Sequence, residues 1–111
     1  MLFASVALAQ SLSAVSGLPM PKKSTEPILD AIVTFTSEWD ENEKYIRKTD
    51  PNGFRVLLPQ GGYLLTIEAP GYETYKLEIE VDQPHIDLDV ITILTDAQAK
   101  ERDLKRQKRF R

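Results

Sequence analysis

Turn chemistry recurs along the middle of this chain at intervals of about ten residues, with short apolar runs between the turns. The turn-bearing pieces are Asp50-Pro51-Asn52-Gly53-Phe54, Leu58-Pro59-Gln60-Gly61-Gly62-Tyr63 and Pro70-Gly71-Tyr72. Their glycines admit backbone conformations that other residues resist, and their prolines preset the turn entries. Short strands punctuated in this way predict a small antiparallel sandwich or barrel. The pattern constrains architecture and contains no evident reactive group.

Apolar alternation fills in the strands. A first strand is expected over Ser11 to Gly17, then a loop over Leu18 to Pro27, where three prolines and two lysines gather. Ile28 to Thr36 reads as a strong strand with Ala31, Val33 and Phe35 on one face. A polar loop from Glu38 to Lys44 carries Trp39, Tyr45 to Thr49 forms a short strand, and Pro51 to Gly53 turns it back. Phe54, Val56 and Leu58 face inward on the next strand, and Tyr63, Leu65, Ile67 and Ala69 on the one after. In Glu73 to Val81, Tyr75, Leu77, Ile79 and Val81 alternate with Thr74, Lys76, Glu78 and Glu80, which predicts one buried and one wet face. Ile86, Leu88 and Val90 then oppose Asp87 and Asp89, and the same alternation sends Ile91 and Ile93 outward, where they need cover. Thr95-Asp96 offers an N-cap to a helix whose few apolar residues, Ala97, Ala99 and Leu104, make no wide stripe.

At 111 residues the chain is one domain, large enough for one modest core. It divides into an apolar terminus (1–10), a sandwich (11–95) and a basic helical tail (96–111). The absence of cysteine excludes disulfides, thiolate zinc sites, thiol nucleophiles and a cysteine lipid anchor. Residues 1–95 hold 7 Lys/Arg and 14 Asp/Glu, whereas residues 96–111 hold 7 Lys/Arg and 3 Asp/Glu. An acidic body with a basic tail does not suit general nucleic-acid binding, which places the basic face on the folded domain. The tail suits phosphates, anionic lipid or an acidic protein.

Met1 to Gln10 is an apolar run ending in Ala7-Leu8-Ala9, like the end of a secretory signal with its small-residue cleavage site. No cation precedes it and the run is short for a signal core, so a frayed or partner-docked terminus is the alternative. The expectation is export to the periplasm or cell envelope, with a cytoplasmic location as the other reading. No segment reaches the roughly 18 to 20 apolar residues of a membrane span.

Four segments in order, Glu26 to Phe35, Lys48 to Phe54, Leu57 to Tyr63 and Ala69 to Tyr72, resemble the carboxypeptidase regulatory-like domain family. The short Pro70-Gly71-Tyr72-Glu73 piece also resembles PEGA repeats. The resemblance implies a seven-stranded, antiparallel Greek-key β-sandwich of transthyretin-like topology, non-catalytic and serving interaction, folding support or spacing. In this reading the Asp50 carboxylate bonds amides of its own turn, Gly53 is left-handed and Phe54 plugs the core. Tyr63 and Tyr72 cover the sandwich ends with their hydroxyls in water.

The residues offer little chemistry. His85 is the single histidine, and a loop position without co-ligands or a nucleophile makes it an exposed side chain. Neither Asp82, Asp87 and Asp89 nor Asp40, Glu41 and Glu43 has the spacing of a calcium loop, and both groups read as solvated faces. One enzyme of similar size has a transthyretin-like fold, 5-hydroxyisourate hydrolase. It uses several histidines and a Tyr-Arg-Gly-Ser-like end, whereas this chain ends Lys108-Arg109-Phe110-Arg111. No catalytic residue, metal or cofactor is expected.

Two interaction readings follow. In the first, the chain is an accessory or structural subunit of a cell-envelope or membrane-associated complex. It docks through Lys100, Arg102, Lys105, Arg106, Lys108, Arg109, Phe110 and Arg111 together with Ile91 and Ile93, onto a protein or an anionic lipid surface. In the second it is a carbohydrate- or peptide-binding module that stacks ligands on Trp39, Tyr45 and Tyr72. Trp39 equally suits a role folded back over the sandwich end.

Overall fold

The structure, a computed structural model, describes residues 11–109 and the side chains as far as residue 107. Met1 to Gln10, Phe110 and Arg111 lie outside the described residues.

Seven strands form in chain order: β1 (Leu12–Pro21), β2 (Ile32–Ser37), β3 (Lys44–Lys48), β4 (Phe54–Pro59), β5 (Gly61–Glu68), β6 (Tyr75–Val81) and β7 (His85–Ile93). One helix, α1 (Asp96–Arg109), follows. The strands make a three-stranded sheet, β4-β1-β7, and a four-stranded sheet, β3-β2-β5-β6. The fold is a β-sandwich. All pairs are antiparallel except β1 with β7, which run parallel. The alternation pattern does not report strand direction, so that pair escapes a reading based on it.

The inward residues of both sheets meet in one core. Val33, Phe35, Leu65 and Ile67 from the four-stranded sheet pack against Val15, Val56 and Leu58, all almost fully buried. Phe35 sits at the centre, with its ring centroid 6.0 Å from that of Phe54 and 6.4 Å from that of Tyr63, the latter edge to face. Burying one such aromatic contributes about 2–3 kcal/mol.

The turn between β3 and β4 forms as its residues dictate. The Asn52 amide donates to the Asp50 side chain at 2.8 Å, and the Gly53 amide to the Asp50 carbonyl at 2.9 Å. Gly53 has φ +90°, and a Cβ there would collide with the Gly17 carbonyl oxygen, so two reasons demand glycine. At the next corner the Tyr63 hydroxyl donates to the Pro59 carbonyl at 2.7 Å. Tyr63 is buried, so its hydroxyl reaches this carbonyl and not water. The bond ties a corner much as the tyrosine corner of other sandwiches does.

Three further expectations are corrected. Leu18 to Pro21 is strand, not loop: past Gly17, β4 has ended and β1 is paired only with β7. An edge tolerates Pro19 and Pro21, and the Pro19 carbonyl accepts the Ile28 amide at 3.0 Å. In β6, Tyr75, Leu77 and Ile79 are only half-buried, because three strands do not fully cover four; Val81 alone of that set is fully buried. The largest correction concerns Ile91 and Ile93, which are 5% and 3% exposed and belong to the core. Ser16 pairs with Asp87 but Leu18 with Val90, so Leu88 and Asp89 together face Gly17 in a β-bulge. Asp89 takes φ +59° and its amide donates to the Asp87 carboxylate at 2.8 Å. One added residue reverses every later side chain, sending Val90 outward and Ile91 and Ile93 inward.

Candidate functional site

The ion pairs of the described structure all involve α1, and several cations gather where that helix meets the sandwich. Thr95 caps the helix: its hydroxyl accepts the Gln98 amide at 3.1 Å, and the Gln98 side chain accepts the Thr95 amide at 3.0 Å. This reciprocal capping box satisfies two donors at the helix start. The preceding backbone is tied to the β5–β6 connection, with the Asp96 amide donating to the Gly71 carbonyl and the Glu73 amide to the Leu94 carbonyl. Among the described side chains of the helix, Ala99 is the buried one.

A two-pronged ion pair holds the next turn. The Arg102 guanidinium donates to both carboxylate oxygens of Glu73, at 2.7 and 3.1 Å, and its Nε to Asp103 at 3.2 Å. The fork geometry matches a carboxylate at both prongs. The bond to Glu73, ahead of that to Asp103, holds the Arg102 guanidinium even further above neutral pH than usual.

The remaining cations on this side of α1 face the β1–β2 connection. Lys105 and Arg106 from the helix and Lys22 and Lys23 from the connection line a cleft of about 380 Å³, together with Leu94, Gln98, Glu101 and Arg102. Lys105 lies 3.6 Å from Glu101, an exposed pair one helical turn apart. Among the described residues, Lys22, Lys23 and Arg106 have no carboxylate within ion-pair distance. Lys100 lies on a different side of the helix, with Asp96 and Asp103. The side chains of Lys108 and Arg109, in the last turn, lie outside the described residues, as do Phe110 and Arg111.

The expected tail surface is thus divided. Arg102, Lys105 and Arg106 come together, Lys100 stands apart, and Ile91 and Ile93 drop out because they are core. Sequence reading missed Lys22, Lys23, Glu73 and Gln98 as members of this region. The basic β1–β2 connection was visible, but nothing local to it says which helix it faces. Gln98 was the discoverable one, since Thr95-x-x-Gln98 is the capping-box spacing.

The expected stacking residues do not converge. Trp39 projects from the β2–β3 connection and is 89% exposed, so it does not fold back over the sandwich end. Tyr45 follows on β3, and its hydroxyl donates to Glu43 at 2.7 Å while its ring meets that of Tyr63 edge to face. The hydrogen bond to Glu43, then burial, push the Tyr45 phenol up to about 12. Burial, then Glu43, also raise Tyr63. Tyr72 lies beyond the opposite end of β5, bridged to Thr95 and partly buried. Trp39 lies past the start of β5, since Ser37 pairs with Tyr63, and Tyr72 past its end. The strand's length, roughly 26 Å at about 3.3 Å per residue, separates those two rings, while Tyr45, in register with Leu65 through Phe35, lies part-way between.

His85 is exposed at the start of β7. Among the described residues no group of three or more His, Asp or Glu could hold a metal ion, and no helix is long and apolar enough to cross a membrane.

No protein-family model matches the chain, and no curated protein matches it. A solved structure does: the 3-chlorocatechol 1,2-dioxygenase of Rhodococcus opacus 1CP, with TM-score 0.60 and 11% identity, over 78% of this chain and 60% of that one. At that identity the likeness concerns the β-sandwich alone and carries no activity with it.

Proposed function

We propose that this chain is a non-enzymatic interaction module, an accessory subunit of a cell-envelope complex that docks through the basic side of α1. The observation that carries the reading is the division of labour along the helix. The Asp96–Gly71 backbone bond, buried Ala99 and the Arg102–Glu73 pair tie its first turns to the sandwich, while Lys105 and Arg106 stay exposed on one side and Lys100 on another. A helix whose first turns are tied down and whose cations stay exposed suits an acidic partner, because less backbone order remains to be imposed on binding. The acidic balance of residues 1–95 adds orientation, since the same partner surface is repelled by the rest of the domain. The resemblance to carboxypeptidase regulatory-like domains supports a non-catalytic role in the envelope, and the apolar Met1 to Gln10 run supports export. Purified full chain, a version ending at Thr95 and the triple variant Lys100→Glu, Lys105→Glu, Arg106→Glu are compared for association with envelope complexes. Loss in both altered forms is expected, and equal association by all three overturns the reading.

Trp39 supports a second reading, a glycan- or peptide-stacking surface reduced to that one ring. Binding to a glycan array that disappears in Trp39→Ala would establish it in place of the first.

A further inference from the structure

We propose that the cleft between the β1–β2 connection and α1 is a binding site for clustered phosphate oxyanions, such as a polyphosphate or a polyphosphorylated headgroup. The proposal goes beyond docking by α1, because it names a small-ligand site that Lys22 and Lys23 complete from a segment far away in sequence. Five cations, Lys22, Lys23, Arg102, Lys105 and Arg106, and one carboxylate, Glu101, line a cleft of about 380 Å³. Arg102 is committed to Glu73, and Lys105 shares its charge with Glu101. Lys22, Lys23 and Arg106 keep theirs uncompensated among the described residues.

Gathering like charges raises the energy of the empty cleft, and a multivalent anion relieves that repulsion as it binds. The helix wall is held by the Asp96–Gly71 backbone bond and the Arg102–Glu73 pair, neither of which uses Lys22, Lys23 or Arg106, and in the other wall the Ser24 amide lies 3.5 Å from the Pro21 carbonyl. The free charges are therefore held together by structure made elsewhere. Phosphate suits them, since three oxygens serve several ammonium groups and the Arg106 fork at once. The Gln98 side-chain oxygen is used by the Thr95 amide, which leaves its amide nitrogen as a neutral donor at the cleft. A concave site of this volume fits a compact ligand better than an extended acidic peptide.

The probe is inorganic tripolyphosphate, titrated calorimetrically into the full chain at low salt. Lys22→Glu and Arg106→Glu are each expected to weaken binding about tenfold or more, since each replaces a charge-assisted contact with repulsion. Lys76→Glu, on the outer face of β6, makes the same change in net charge but does not line the cleft, and it is expected to alter binding less than about twofold when the titration is repeated at about 0.15 M salt, where the Debye length is about 8 Å. Thermal unfolding of all three variants checks that the fold is retained. No binding, or equal weakening by Lys76→Glu, overturns the proposal. Phosphatidylcholine vesicles doped with phosphatidylinositol bisphosphate distinguish the source. Tripolyphosphate binding with cleft-dependent vesicle binding supports a lipid headgroup, and tripolyphosphate binding without it supports a soluble phosphate ester. A version of the chain that binds tripolyphosphate yet associates with no envelope complex would remove the docking reading and leave this site standing.

Discussion

The two sheets of this sandwich obey the same packing rules but differ in how regular they are. In the four-stranded sheet, β2 and β5 keep one unbroken alternation, and Val33, Phe35, Leu65 and Ile67 fall inward as their spacing demands. In the three-stranded sheet, β1 carries two prolines, runs parallel to β7 and faces a bulge at Leu88 and Asp89. The regular sheet supplies a core face that spacing alone reveals. The irregular one uses a single left-handed residue to turn an apparently outward pair of isoleucines into core. A parity argument is only as good as the absence of bulges along the strand.

Truncating the disputed residues tests that difference most strongly. Ile93→Ala is expected to cost about 2–4 kcal/mol of stability, as a buried large-to-small change. Val90→Ala, three residues earlier and 52% exposed, is expected to cost less than about 0.5 kcal/mol. Urea denaturation of the two variants reads both. A reversed ranking would mean that β7 has no bulge in solution and that Ile91 and Ile93 are available for docking after all.

Two buried hydroxyls, Thr49 beside the four-stranded sheet and Ser13 in the three-stranded one, have opposite consequences. Thr49, at the end of β3, accepts the Ala31 amide at 3.0 Å and donates to the Ile28 carbonyl at 2.7 Å. Thr49→Val keeps the shape but leaves two buried backbone groups without partners, at an expected cost of about 1–3 kcal/mol. Ser13, on β1, is fully buried and its hydroxyl has no hydrogen-bond partner among the described residues. Ser13→Ala is therefore expected to be neutral or to stabilise by up to about 1 kcal/mol. Chemical denaturation of both variants decides, and a destabilising Ser13→Ala would show that its hydroxyl is bonded in solution.

These contrasts mark what was legible in advance. The sandwich, the inward sets on β2, β4 and β5, and the Asp50–Gly53 turn all follow from local rules of alternation and turn chemistry. The bulge at Asp89 does not, because aspartate at that position also reads as an ordinary wet-face residue, and its φ depends on pairing with β1. Thr49 reads as a strand end, and only tertiary structure brings it to Ile28 and Ala31. The candidate cleft is illegible for the same reason. Its basic helix is plain in the sequence, but the meeting of Lys22 and Lys23 with Arg106 depends on how β1 ends and where the capping box aims α1.

The smallest expected effect lies in the regular sheet and concerns protons. Tyr45 ionises at about 12 in the folded chain against an ordinary value of 10.0, because its phenol donates to Glu43. The raised value means that the fold retains a proton the unfolded chain releases between those limits. The associated stability is fully present below pH 10.0 and is lost as pH rises through about 12. In Glu43→Gln the carboxylate that favours the neutral phenol is gone, and Tyr45 is expected to fall back toward its ordinary value. Tyr63 should move less, since burial is the first cause of its shift and Glu43 only the second. Phenolate absorbance followed through an alkaline titration separates the two, because the variant should bring forward the share of one tyrosine out of four. An unchanged titration would mean that Glu43 points away from Tyr45 in solution. The β2–β3 corner would then be looser than the rest of its sheet, and the regularity that distinguishes the two sheets would stop at the end of β2.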